Sequence, residues 1–193
     1  MIAFLKGTFV QKTPAQVWVE VNGIGYEVQI SLNTYSKIQD QESGLLHTCL
    51  LIREDAHLLY GFHDTGERDM FLHLLSVSGI GASTSRVILS YMAPDELAKT
   101  IVQGDVRALE AIKGIGKKTA ERLVVELRDK LAKHPIEATN VTMKNNTLQQ
   151  DALYALTALG IQRQAAVKAL EKVMAQQPDL PVEELIKTVL RTL

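Results

Sequence analysis

The chain has 193 residues, 46% of them hydrophobic, with 21 basic and 22 acidic side chains, a net charge of −1 and a single cysteine. Those values exclude a polycation, a disulfide scaffold and a low-complexity chain, and they leave room for one large domain or two to three small ones. No apolar run approaches the ~20 residues that span a bilayer, and Lys6 and Gly7 interrupt the N-terminal apolar stretch, so the sequence predicts a soluble cytoplasmic protein with no signal peptide and no membrane partner.

Residues 1–62 read as β structure. Val17, Val19 and Val21 alternate along Gln16–Val21, Asn22-Gly23 is a hairpin signal, and Tyr26–Ile30 resumes the alternation. Leu45–Ile52 and His57–Phe62 make two more strands around Arg53-Glu54-Asp55-Ala56. About five short strands in this length suggest a small closed barrel of the OB type, with a sandwich fragment as the alternative. Cys49 lies in an apolar run and reads as a buried thiol suited to a reducing compartment. Trp18 reads as barrel core or as a subunit contact.

From Asp64 the period becomes helical and stays so to about Lys133, giving a five-helix domain over residues 63–133. Phe71, Leu74 and Leu75 mark its first helix, and Ser83–Tyr91 a second. Ala93-Pro94-Asp95-Glu96 reads as a helix start, and Gly104-Asp105 closes that helix and opens the next. Within the domain one element occurs twice. Leu75–Val87 contains Gly79-Ile80-Gly81, and 35 positions later Glu110–Arg122 contains Gly114-Ile115-Gly116 in the same register. Each copy reads as helix, glycine hairpin, helix. One copy alone is most simply a structural turn; two in register signal a duplicated unit.

Charge singles out the second copy. Residues 113–133 hold seven basic side chains (Lys113, Lys117, Lys118, Arg122, Arg128, Lys130, Lys133) against three acids, a local +4, whereas residues 1–62 sum to −2. Cations at a helix N-terminus oppose its dipole, so stability does not explain Lys113, Lys117, Lys118 and Arg122; a bound phosphate does. Thr119 stands in the same turn.

His134-Pro135 breaks the helical pattern, and the polar, aperiodic 134–147 has linker composition. Residues 148–193 then read as a small three-helix module. Leu148, Ala152, Leu156 and Leu159 form one stripe ended by Gly160; Ala166, Leu170 and Val173 form a second helix ended by Gln177-Pro178-Asp179; Pro181 opens a third with Leu185, Ile186, Val189 and Leu190. A core this small on a tether suits an interaction module better than a catalyst.

Four separated stretches together resemble the RuvA family, the Holliday-junction-binding subunits of the bacterial branch-migration machine. They are Met1–Gly7, Val21–Val28, Arg53–Phe62 and Gly114–Leu123, and the likeness extends over the whole chain. The resemblance implies a β-then-α multidomain fold with an OB-type barrel, two helix-hairpin-helix motifs and a C-terminal three-helix module. It implies binding of four-way DNA junctions, held open and planar, in recombination and DNA repair. It implies a four-fold homotetramer, with pairing into an octamer left open, and the hexameric ATPase RuvB as a partner of residues 148–193, with the resolvase RuvC as a further one. No catalytic residue, cofactor or metal is implied. The DNA-binding residues would be Gly79, Ile80, Gly81, Ser83, Thr84 and Arg86 in the first hairpin, and Lys113, Gly114, Ile115, Gly116, Lys117, Lys118, Thr119 and Arg122 in the second. Glu54 and Asp55 match the family's acidic pin; on residues alone they are a solvated turn.

The first hairpin departs from the family pattern. Relatives often place Pro-Lys after the second glycine, where this chain has Ala82 and Ser83. Backbone N–H groups, Ser83 or Thr84 hydroxyls, or Arg86 are the available replacements. Lys113 stands where relatives often have proline. Two other functions compete: a generic duplex-binding accessory protein, and a metal-dependent nuclease built on Glu54, Asp55, Asp64 and Asp69. His57 and His63 lack partners at metal-ligand spacing. A phosphate-binding loop of the ATPase type fails because Ala111 and Lys118 occupy its glycine and hydroxyl positions.

Overall fold

The computed structural model describes residues 1–133, 147–177 and 180–192. The expected linker therefore lies, but for Thr147, outside the described residues, as do Pro178 and Asp179. The described residues fall into two compact units, one before and one after that segment, each with its own core.

The first unit begins with five strands: β1 (Phe4–Thr13), β2 (Gln16–Val21), β3 (Ile24–Ile30), β4 (Ser43–Ile52) and β5 (His57–Phe62). They close into a barrel in the order β1-β2-β3-β5-β4, antiparallel except for the β3–β5 pair, which is parallel. Alternation explains the closure. Val17, Val19, Val28, Ile30, Leu46 and Leu59 point inward with Leu5 and Phe9 and leave almost nothing exposed. The period of two sends Trp18 to the outer wall, where it is 45% exposed; the core alternative for it was wrong, because its neighbours Val17 and Val19 hold the inward phase. The parallel β3–β5 pairing needs a crossover, and part of it is a helix the sequence reading missed, α1 (Leu32–Ile38). Ser31 caps it by accepting from the Thr34 N–H, 3.0 Å away.

Five helices follow: α2 (Thr65–Leu75), α3 (Ala82–Tyr91), α4 (Pro94–Gln103), α5 (Val106–Glu110) and α6 (Lys117–Lys133). Pro94 sits in the first turn of α4, Gly104 closes it in the left-handed conformation, and Asp105 caps α5 by accepting from the Ala108 N–H. A second apolar core, separate from the barrel interior, joins Cys49, Tyr60 and Phe62 of β4 and β5 to the helices. Phe71 of α2 packs its ring 5.0 Å from that of Tyr60 and 4.9 Å from that of Phe62. Cys49 lies in the same core, and burial raises its thiol pKa.

The joint between barrel and helices is also polar, and it is built on a buried acid. Glu67 of α2 is fully buried and accepts hydrogen bonds from the Ser31 hydroxyl and from Thr34 Oγ1, the latter at 2.7 Å. Those oxygens accept in turn from the N–H groups of Thr34 and His63. Both hydroxyl protons are thereby directed at the carboxyl. Burial raises the Glu67 pKa, and the two hydroxyl bonds pull against it. A carboxyl whose folded pKa lies above the unfolded one binds its proton more readily in the native state. It contributes most stability below the unfolded value and loses that contribution as pH rises through the folded value. We expect Glu67→Gln to remove this slope. In urea titrations read by Trp18 fluorescence, the stability advantage of wild type over the variant should shrink as pH rises from the ordinary carboxyl value of 4.5. A constant difference across that range would show that Glu67 does not titrate in the fold.

The described residues of the second unit form three helices, α7 (Thr147–Ala158), α8 (Arg163–Gln176) and α9 (Val182–Thr192). Ala152, Leu156, Ala166, Leu170, Val173, Leu185 and Val189 form its core. Gly160 ends α7 as expected: its φ is +89°, and the Ile161 N–H reaches back to the Leu156 carbonyl at 3.0 Å. The expected apolar stripe is trimmed at both ends. Leu148 and Leu159 are exposed, and so is Leu190 of α9, because a core of seven residues is too small to reach the helix ends.

Candidate nucleic-acid interface

The 35-residue repeat is present in the hydrogen bonds themselves. In the first hairpin the Val77 N–H donates to Leu74, the Ile80 N–H to Val77 and the Ser85 N–H to Gly81, at 3.1, 3.1 and 2.9 Å. In the second, Ile112 donates to Leu109, Ile115 to Ile112 and Ala120 to Gly116, at 3.2, 3.0 and 3.0 Å. Gly79 and Gly114 take φ of +88° and +91°, where a side chain would cost about 1–2 kcal/mol. Ile80 and Ile115 are each 5% exposed and plug the hairpins into the common core.

Gly81 and Gly116 are different. Neither has a positive φ, and among the described residues a Cβ added to either would meet nothing within 4 Å. Both are exposed, and each directly precedes a helix, α3 or α6. The first amides of a helix have no carbonyl one turn back. The glycine before α3 brings no side chain to cap them. The result is a pair of open, electropositive backbone cradles.

Around the second cradle Lys113, Lys117, Lys118 and Arg122 are exposed and Thr119 is half-buried. Around the first, Ser83 is exposed and Thr84 half-buried. Arg86, one of the residues offered to replace the missing lysine, is held by the barrel. Its Nη1 donates to the Ala15 carbonyl at 3.1 Å and to Gln29 Oε1 at 2.6 Å. Ser90 works alongside it, accepting from the Leu32 N–H at 3.0 Å. Arg122 also has a protein partner: its Nη1 donates to the Ser78 carbonyl of the first hairpin at 3.0 Å. No sequence signal marks any of these three bonds, since the partners are 71, 57 and 44 positions away.

Glu54 and Asp55 are exposed at the turn between β4 and β5, which the Arg53 N–H closes on the Ala56 carbonyl at 2.9 Å. The acids proposed with them for metal-dependent cleavage are committed elsewhere. Asp64 caps α2 by accepting from the Glu67 N–H and pairs with Lys37 Nζ at 2.8 Å; Asp69 pairs with Arg68 at 3.0 Å. Burial opposes the Asp64 charge, but the hydrogen bonds from Lys37 and the Glu67 N–H, with the charges of Lys37 and His63, outweigh it and lower the pKa. Among the described residues no three His, Cys, Asp or Glu side chains are grouped to hold a metal ion.

Three family models match in chain order: the RuvA N-terminal domain over residues 1–61, a SAM-like helix-hairpin-helix tandem over 71–129 and the RuvA C-terminal domain over 147–193. A protein of Christiangramia forsetii named Holliday junction branch migration complex subunit RuvA is 42% identical over 193 residues, with both chains covered completely. Proteins of the same name from Bacteroides fragilis and Parabacteroides distasonis are 43% and 44% identical over their full lengths and that of this chain. The chain belongs to the RuvA family. The RuvA N-terminal match covers the closed barrel, and the helix-hairpin-helix match covers both glycine hairpins with the helices that hold them. The RuvA C-terminal match begins where α7 begins.

Proposed function

We propose that this protein is a structure-specific, non-catalytic DNA-binding subunit that holds four-way junctions open and planar and recruits a separate motor, the RuvB ATPase, for branch migration. The barrel (residues 1–62) carries the acidic pin, the tandem hairpins (63–133) grip the DNA arms, 134–147 link them to the motor-binding module (148–193), and four copies surround one junction in the cytoplasm. Pairing of two tetramers and contact with the RuvC resolvase are compatible with the same arrangement.

The observation that supports this reading best is the pair Gly81 and Gly116. Among the described residues nothing requires glycine at either place, which supports a requirement from outside, a backbone that approaches closely. A phosphate on the free amides at the starts of α3 and α6 fits, with Lys113, Lys117, Lys118 and Arg122 supplying charge and the Ser83, Thr84 and Thr119 hydroxyls lying within the same turns. Such contacts carry no base sequence information, so selectivity comes from the geometry in which several copies present them.

The test is a titration of the full chain against a four-way junction and a linear duplex of equal length, repeated across salt concentrations. A junction preference is expected. Lys117→Ala with Lys118→Ala should weaken both substrates alike and lower the salt slope by roughly 1 per lost contact. A wild-type chain that binds duplex and junction equally is a generic duplex binder. An unchanged slope in the double variant would remove these lysines from the interface.

A further inference from the structure

The two hairpins belong to different helix pairs, yet one side chain spans them. Arg122 lies in the second turn of α6, just after the second hairpin, and its Nη1 donates to the carbonyl of Ser78 in the first, 44 residues earlier, at 3.0 Å. A Cβ built on Gly79 would lie 3.8 Å from that same nitrogen, so the guanidinium sits directly against the first glycine turn. Its Nε is 3.8 Å from Glu126 Oε1, one turn along α6, which orients the side chain from the other end. The side chain is nevertheless about half exposed. A guanidinium has five N–H donors in a fixed plane, so these two contacts leave donors over. Lys130 adds a second, longer link from α6 to the first motif, 3.3 Å to Ser76 Oγ.

We infer that Arg122 is the positioning residue that locks the two glycine hairpins into one rigid unit, so that both phosphate cradles are presented at a fixed spacing and engage DNA together. The inference rests on the reading of the hairpins as phosphate sites. It assigns Arg122 a role that charge alone does not fill. The first hairpin has no lysine of its own beyond its second glycine, and its Arg86 is held by the barrel. Its contact with a phosphate therefore depends on backbone amides and hydroxyls, which have short reach and tolerate little displacement. A hairpin of that kind gains most from being held in register by its neighbour. The bond is made to a backbone carbonyl, so it fixes the path of the chain through Ser78 and Gly79, not the rotamer of a side chain.

Arg122→Lys separates positioning from charge. Lysine keeps the charge but replaces the planar fork with a single ammonium on a flexible stem, which cannot meet Ser78 and Glu126 in the same geometry. In the DNA-free full chain, amide hydrogen exchange across residues 78–82 should accelerate by about threefold or more in this variant, and should be unchanged in Lys118→Ala. In titrations with a linear duplex, the salt slope of Arg122→Lys should fall by roughly 1 although its net charge equals that of wild type, because the first hairpin's phosphate contact is lost with its register. A role in stability alone would lower the melting temperature and leave the slope of the folded protein intact; a plain phosphate-binding charge would be rescued by lysine. Arg122→Met, which keeps the apolar stem, supplies the same exchange measurement should the lysine variant fail to fold. Wild-type exchange and wild-type salt slope in Arg122→Lys overturn the proposal while the DNA-binding reading stands. A wild-type chain that binds neither duplex nor junction overturns both.

Discussion

A chain lacking residues 148–193 is expected to bind four-way junctions within about twofold of the full chain and to lose its stimulation of the RuvB motor altogether. The reason lies in how apolar surface is buried. The seven core residues of the second unit, from Ala152 to Val189, pack with one another and with their own partly buried neighbours, and none is shared with the core that holds the hairpins. Removing the module therefore opens no cavity beneath Ile80 or Ile115. Nor does it change the electrostatics of DNA binding, because residues 148–193 carry five basic and five acidic side chains and contribute no net charge. What the deletion removes is a surface on which Leu148, Tyr154, Leu159 and Leu190 are exposed. Junction affinity from a gel or anisotropy titration and ATP turnover of the motor with junction DNA are the two measurements. Normal motor stimulation by the truncated chain would place the motor contact in the first unit.

The features that the sequence made legible are those written locally. Strand alternation placed Val17, Val19, Val28 and Ile30 inside the barrel, and the same period, followed through, already put Trp18 outside. The hairpins were legible because they are repeated; the recurrence of Gly-Ile-Gly after 35 residues matters more than either copy. Helix α1 was missed because it is only seven residues long and rich in polar and β-branched types. Its signals were faint: Ser31 at the cap, and Leu32, Tyr35 and Ile38 at spacings of three. Glu67 gave no warning at all. A glutamate in the first turn of a helix reads as an exposed dipole partner, and only the tertiary approach of Ser31 and Thr34, more than thirty positions earlier, turns it into a buried joint. The roles of Arg86 and Arg122 were invisible for the same reason. Each reads as a surface cation until the fold brings a distant carbonyl to it. Local chemistry thus marked the hairpins proposed to touch DNA, but not how they are held relative to one another.

The acidic turn between β4 and β5 is where an opposite charge should have the clearest consequence. Glu54→Gln with Asp55→Asn is expected to keep junction binding, to gain affinity for linear duplex, and to shrink the junction-to-duplex preference by about tenfold. Two adjacent carboxylates on an exposed tip repel phosphates, so they do not help an ordinary duplex to bind. Among the described residues neither pairs with a cation, and the turn is closed by a backbone bond from the Arg53 N–H to the Ala56 carbonyl. The amide variants therefore leave the turn's own hydrogen bond in place and should leave the melting temperature within a degree or two of wild type. In the proposed tetramer, four such tips meet near the axis where the strands of a junction cross. Eight negative charges would then be concentrated where an uninterrupted duplex has to pass and an open junction does not. Interactions between charges in water are weak and are screened beyond about 10 Å at moderate salt. The effect is therefore confined to the crossover and leaves the hairpin contacts on the arms untouched. Raising the salt should erode it, so the wild-type and variant preferences should converge as ionic strength increases. Both affinities must be measured at each of several fixed salt concentrations with the same two DNAs. If the double variant keeps the wild-type ratio at low salt, Glu54 and Asp55 are an ordinary solvated turn and the barrel plays no part in distinguishing a junction from a duplex.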